Sequence, residues 1–214
     1  MKKHIFTFAF VIAAMAINAQ TRTINLPAPQ RTGGMPLMEA LDNRMTHRNF
    51  SDRALSPQQL SNLLWAASGV NRDDGSNRMT APTAGNSQQM VIFVALPNAV
   101  YRYFPQTHEL RLHVEGDHRA AFGRQAFVAT APVVIGIVAD WNRMERWGSN
   151  KAEKMRYSHT DAGYVSQNIY LWTASERMGS VAIGNFDQRV FTTALGLGSN
   201  YYPVLNHAVG FIAN

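Results

Sequence analysis

The stretch Met90-Val91-Ile92-Phe93-Val94-Ala95-Leu96 contains no polar residue, and an apolar run of strand length without helical period reads as a strand inside a core. Pro132–Ala139 reads as a second, central strand of the same kind. Between them, Val100–Phe104 and Leu110–Val114 have the spacing of a hairpin, and a helix is expected from about Asp117 to Thr130. Other helices flank this block. Gly34-Met35-Pro36 opens one, with Met38, Leu41 and Met45 on a single face. Ser56-Pro57-Gln58-Gln59 is a capping box with proline at the first helical position, followed by the stripe Leu60, Leu63, Leu64 and Ala67 and a stop at Gly69. Further on, Thr160-Asp161 is expected to cap a long helix carrying Ala162, Val165, Ile169 and Trp172 and ending near Gly179. Val181–Ile183 reads as a short strand, Gln188–Leu195 as a short helix and Ala208–Ile212 as a last strand. Helices and strands neither alternate strictly nor segregate, so the fold class is α+β. A chain of 214 residues fits one domain with a substantial core.

The N-terminus and the composition bear on compartment and partners. Lys2 and Lys3 precede an apolar run from Ile5 to Ile17, then Asn18-Ala19-Gln20. The run is short of the roughly 20 apolar residues that span a bilayer and has the layout of an export signal cut after Ala19; an uncleaved anchor is the alternative. Residues 1–19 are thus read as a signal peptide, 20–35 as an extended arm rich in Pro, Gly and Thr, and 36–214 as the domain. The mature protein is expected to be exported and periplasmic, with no membrane attachment. The chain has no cysteine, which excludes disulfides, thiolate catalysis and cysteine-ligated metal. Net charge is +6. The arginines are scattered, without interleaved aromatics, so nucleic acid is not the expected partner; an anionic cofactor accounts for the surplus more simply.

Two segments carry the chemistry. Arg44-Met45-Thr46-His47-Arg48-Asn49-Phe50 offers fixed positive charge and a hydroxyl where a helix gives way to extended chain. Ala81-Pro82-Thr83-Ala84-Gly85-Asn86-Ser87-Gln88 combines Pro, Gly and side-chain amides, which lets backbone approach a flat ligand closely. Read alone, Arg44 and Arg48 also fit a solvated helix end, and the second segment also fits a tight turn leading into the strand at Met90. Together they suggest a site for a phosphorylated, planar cofactor.

With three further stretches in order, the sequence resembles the nitroreductase family, and within it the SagB-type dehydrogenases. The stretches are Arg44–Phe50, Pro82–Asn86, Asp161-Ala162-Gly163 with Gln167-Asn168, Gly184-Asn185-Phe186-Asp187, and Pro203–Gly210. Each is weak alone; their order and spacing make the likeness specific. The resemblance implies a mostly antiparallel sheet wrapped by helices, an intertwined homodimer, and FMN at the interface between the two chains. It also implies ping-pong transfer from NADH or NADPH to an electron-poor small molecule such as a nitroaromatic or a quinone. By the same resemblance Arg44 holds the flavin phosphate, with Met45 in the same segment, and Thr46 contacts the phosphate or ring edge. Arg48 reaches the pyrimidine end, where a cation favours the reduced ring. Pro82, Thr83, Ala84, Gly85 and Asn86 pack along the ring, and Ile183, Gly184 and Asn185 present backbone N–H groups near N5 and O4.

The chain departs from the family in two places. Relatives often have an acidic residue near Gly184, and they often supply basic phosphate ligands close to the C-terminus, where this chain has no Arg beyond Arg189. Arg78 and Arg189 are the candidate substitutes. The polar stretch 140–158, with Trp141 and Trp147 and no clear period, reads as a lid that sets specificity. No catalytic side chain is required, because the flavin carries the reaction. A non-catalytic flavin carrier and an azoline-oxidising peptide dehydrogenase remain as alternatives. His108, His113 and His118 recur every fifth residue, which matches neither a helix face nor a strand face, so no metal is expected. Gly196-Leu197-Gly198 lacks the rest of a dinucleotide fingerprint and reads as a helix-ending turn.

Overall fold

A computed structural model describes residues 23–213. The proposed signal peptide, its cleavage point and the first residues of the arm lie outside that range. Seven strands, β1 (Thr23–Asn25), β2 (Met90–Leu96), β3 (Ala99–Phe104), β4 (Glu109–Glu115), β5 (Val133–Asp140), β6 (Gly179–Ile183) and β7 (Tyr201–Gly210), form one sheet in the order β1-β4-β3-β2-β5-β7-β6. Every pairing in it is antiparallel. The apolar runs β2 and β5 are neighbours at its centre. They need not alternate, because helices cover both faces of the sheet.

On one face, α2 (Pro57–Ser68) and α4 (Lys151–Ser175) press Leu63, Leu64, Ala162, Val165 and Ile169 onto Ile92, Val94, Ile135 and Ile137. On the other, α3 (Ala126–Thr130) and α5 (Gln188–Ala194) place Val128 and Phe191 against Val91, Phe93, Val134 and Val138. Gly136 of β5 makes room on that second face. A Cβ there would come within 2.9 Å of Phe122 and 3.0 Å of Phe191, whose rings pack edge-on at 4.7 Å.

The capping box of α2 is present in both directions, Ser56 to Gln59 and back. Four expectations are corrected. The helix expected over 117–130 is broken: a 3-10 turn spans Arg119–Phe122 and α3 starts only at Ala126. Between them Gly123 lies so close to Val128 and Ile183 that no side chain fits. The long helix is not capped at Thr160-Asp161. Its cap lies ten residues before Thr160, where the Asn150 side chain accepts from the Glu153 N–H. Stretch 140–158, expected to show no clear period, is regular for most of its length. It holds 3-10 turns at Trp141–Arg143 and Glu145–Trp147 and the first turns of α4, pinned by fully buried Met144 and by Trp141 stacked on Tyr202. The last strand starts at Tyr201 and ends at Gly210, not Ala208–Ile212.

α1 (Leu37–Asn43) forms where expected, but its apolar stripe faces outward. Met38 is 76% exposed, Met45 59% and Leu41 43%, and only Ala40 of the helix is buried.

Candidate functional site

Helix α4 organises two clusters of the residues singled out above. Because the helix starts at Lys151, Asp161 falls in its middle, and it is buried. Its Oδ2 accepts from the Ala84 N–H at 2.9 Å and from Gln89 Nε2 at 2.6 Å. Those two bonds fix the turn Pro82–Gln88 against the helix. Within the turn, Thr83 Oγ1 accepts from the Gln88 N–H at 2.9 Å, and Gly85, Asn86 and Gln88 all have left-handed backbone, with φ of +57°, +53° and +49°. Gly and Asn tolerate that conformation better than other residues. Pro82, Gly85 and Asn86 are exposed, Thr83 and Ala84 half-buried. The Arg146 guanidinium and Trp147 lie beside Gly85, 3.3 and 3.5 Å from where its Cβ would be.

The second cluster centres on Tyr170, further along α4. The Arg44 guanidinium sits 5.2 Å from the centre of the Tyr170 ring. The phenol oxygen lies 3.3 Å from Thr46 Oγ1 and accepts from the Ala182 N–H at 2.8 Å. After α1 the chain runs beside β6: Thr46 bridges to Ser180, and the His47 N–H donates to the Ser180 carbonyl at 3.0 Å. Arg44, Thr46 and the end of β6 are thereby held together. Ile183 is buried and can offer a ligand only its backbone, whereas Gly184 and Asn185 are exposed, with open space where a Gly184 side chain would stand. Met45 and Arg48 are also exposed, and among the described residues neither Arg44 nor Arg48 is in an ion pair.

Behind Tyr170 lies buried His207, edge-on to its ring at 4.9 Å. His207 Nε2 is 2.8 Å from Ser166 Oγ, while Nδ1 has no partner among the described residues. Desolvation alone pushes its pKa down to about 3.

Asp161 and Tyr170 are nine residues apart on α4, which is two and a half turns. That places them about 14 Å apart along the axis and on opposite sides of it. One chain thus gathers Arg44, Thr46, Gly184 and Asn185 in one place and Pro82–Asn86 in another. Arg78 belongs with the turn, since the adjacent Asn77 carbonyl accepts from Gln88 Nε2. Arg189 is exposed in the first turn of α5.

Sequence reasoning missed Tyr170, the placing of Arg146 and Trp147 beside Gly85, and the role of Asp161 in holding the turn. The last had a signal: a carboxylate next to Ala162 on an otherwise apolar stripe needs donors if it is buried. Tyr170 had none, because its partners come from segments far away in the chain.

The three histidines at fivefold spacing go to separate partners: His108 to Ser61 and Tyr103, His113 to the Leu195 carbonyl, His118 to the Glu115 carbonyl. A cavity of about 490 Å3 is lined by Leu55, Leu60, Leu96 and Val133, at the far end of β2 from the turn. Its one cation, Arg119, is already held by Asp117 and the Ala131 carbonyl.

The sequence matches the Nitroreductase family over residues 41–211. The chain belongs to the nitroreductase family. This family consists of oxidoreductases, and the seven-stranded α+β architecture is that of the family. A relative from Methanocaldococcus jannaschii, itself named as a "putative nitroreductase", is 31% identical over 200 residues, 89% of this chain and 96% of its own. A crystal structure of another "putative nitroreductase", from Ralstonia eutropha JMP134, superposes with a TM-score of 0.84 at 38% identity, covering 90% of each chain. An NADPH:FMN oxidoreductase from Vibrio harveyi, crystallised with NAD+, shares the fold at a TM-score of 0.61 and 18% identity, over 83% of this chain and 69% of that one.

Proposed function

We propose that this nitroreductase-family protein is an FMN-dependent oxidoreductase that works as a homodimer. What carries the reading is the meeting of Arg44, a hydroxyl and exposed chain at the end of β6, with a second arginine, Arg48, two residues after Thr46. Arg44 and Arg48 have no carboxylate partner among the described residues, Thr46 presents a hydroxyl beside Arg44, and Gly184 and Asn185 are exposed, with open space where a Gly184 side chain would stand. That donor set fits a phosphate joined to a flat heterocycle. The group would be held by Arg44 and Thr46 at its phosphate, by Arg48 at the pyrimidine edge and by the Gly184 and Asn185 N–H groups at the opposite edge.

The ring-lining turn of the same chain lies across α4 from this cluster, so a complete site needs Pro82–Asn86 from a second copy. The outward apolar stripe of α1, adjoining Arg44, is the kind of surface that a partner covers. FMN held there would supply the redox chemistry between a reduced nicotinamide such as NADH or NADPH and an acceptor such as a nitroaromatic or quinone. The protein orients donor and acceptor in turn, excludes water with the turn and its neighbour Trp147, and favours added negative charge on the ring through Arg48. The signal-like N-terminus supports export of the mature chain.

The test is binding of FMN and of riboflavin, which lacks the phosphate, to wild type and Arg44→Ala. A phosphate ligand predicts a loss of FMN affinity of about 10- to 100-fold, with riboflavin affinity unchanged. A colourless protein that binds neither flavin ends the proposal, as does a protein that is strictly monomeric at all concentrations.

A further inference from the structure

Beyond the ligands themselves, the structure places one side chain between the two ends of the proposed flavin. Tyr170 meets Arg44 through the face of its ring and Ala182 and Thr46 through its hydroxyl. We propose that Tyr170 is a positioning residue with two separable functions: its ring seats the phosphate-binding Arg44, and its hydroxyl sets the β6 end that faces the flavin ring. This rests on the flavin reading above and goes beyond it by assigning a residue that touches no ligand.

The chemistry follows from counting donors. A phenol has one proton and two lone pairs. One lone pair is occupied by the Ala182 N–H at 2.8 Å. The phenol proton is then available for Thr46 Oγ1 at 3.3 Å, which leaves the Thr46 proton free to point outward at an anion. Bonds arranged in series polarise one another, so an anion on Thr46 strengthens the contact that holds Ala182. Ala182 lies two residues before Gly184, about 7 Å along a strand. Its N–H therefore sets where the exposed backbone of Gly184 and Asn185 stands. At the ring face, a guanidinium at 5.2 Å is within cation–π range, so Arg44 keeps one orientation without a carboxylate that would compete with phosphate. His207 backs the ring edge-on at 4.9 Å, which prevents the phenol from swinging inward.

Two substitutions divide these roles, read on the purified full-length chain by fluorescence titration with FMN and with riboflavin, alongside the flavin-free melting temperature. Tyr170→Phe keeps the ring and removes the hydroxyl. It is expected to weaken riboflavin about 3-fold, through the β6 end, and FMN about 3- to 10-fold, because Thr46 at the phosphate is loosened as well; each is on the scale of one hydrogen bond. Tyr170→Leu removes the ring as well, and is expected to lose a further 5-fold or more for FMN alone. Adding Thr46→Val to Tyr170→Phe should have less effect than the sum of the single changes, because both cut the same chain of bonds.

A merely structural tyrosine would lower both affinities equally in Tyr170→Leu, in step with melting temperature; that result overturns the inference, as does unchanged affinity in both variants. Wild-type protein that binds neither flavin removes the flavin reading itself, and this inference with it. Wild type that binds FMN while the variants show no split removes the inference alone.

Discussion

Lowering the pH should destabilise this protein well above the range in which its carboxylates titrate, and His207 should account for a defined part of the loss. The ring is fully buried against the uncharged side chains of Ser166 and Tyr170, and desolvation holds its pKa near 3. In the unfolded chain the same ring titrates near 6.5. Between those two values the unfolded state carries one more proton than the folded state, so stability falls as pH falls, by about 1.4 kcal/mol per pH unit. From pH 7 to pH 5 this integrates to about 2 kcal/mol, equivalent to about 4–8 °C in melting temperature for a domain of this size. His108 and His113 are also shifted down by burial and add loss of the same sign. The shifted aspartates have their values lowered, and they act only below this window.

The assay is urea unfolding of wild type and His207→Gln at pH 7 and pH 5, at one protein concentration. Gln keeps a polar atom for Ser166 and removes the titration. The substitution has its own cost, but that cost is the same at both pH values and drops out of the difference. Wild type should lose about 2 kcal/mol more than the variant over the two pH units. A difference under about 0.5 kcal/mol would mean that the ring gains its proton in the folded state near its ordinary pKa, and the account of a dry, neutral His207 would be wrong.

Asp161→Ala leaves the Ala84 N–H and Gln89 Nε2 without their acceptor; a loss of about 3 kcal/mol is expected, with faster amide exchange at Ala84 than at Val94 as the local signature. Gly136→Ala forces a methyl against Phe122 and Phe191 at 2.9 and 3.0 Å and should cost about 1–3 kcal/mol in urea unfolding, whereas the same change at Gly184, which faces open space, should cost little. Ser56→Ala removes the half of the capping box in which Ser56 Oγ accepts from the Gln59 N–H and leaves the residue-56 N–H donating to the Gln59 side chain, for about 1 kcal/mol and a drop of about 2–4 °C in melting temperature.

The elements legible from the sequence are those whose cause is local. Ser56 and Gln59 fix the start of α2 by bonds three residues apart, and Met90–Leu96 and Val133–Asp140 declare themselves by apolar runs that only a sheet covered on both sides can absorb. The basic segment at Arg44, the turn at Pro82–Asn86 and the order of the later motifs likewise suffice to indicate the family from the chain alone. Where the local rule failed, a tertiary contact had overridden it. Thr160-Asp161 looks like a helix cap because Asp favours caps, but here its carboxylate accepts from Ala84 and Gln89, 77 and 72 residues away, and the helix continues through it. The stripe Met38, Leu41, Met45 has the period of a core face, and periodicity cannot say whether a face meets its own core or another molecule.

The sequence by itself determined the family and which candidate groups, arginines, a hydroxyl and a Pro/Gly turn, the chain can offer, because those depend on side-chain type and turn chemistry. Only the tertiary structure decided how they are grouped. Tyr170 of α4 draws Arg44 and Thr46 from one segment and Ala182 from another together, while the thickness and pitch of α4 set Pro82–Asn86 on its other side. Those relations depend on packing across the fold, and no spacing along the chain encodes them.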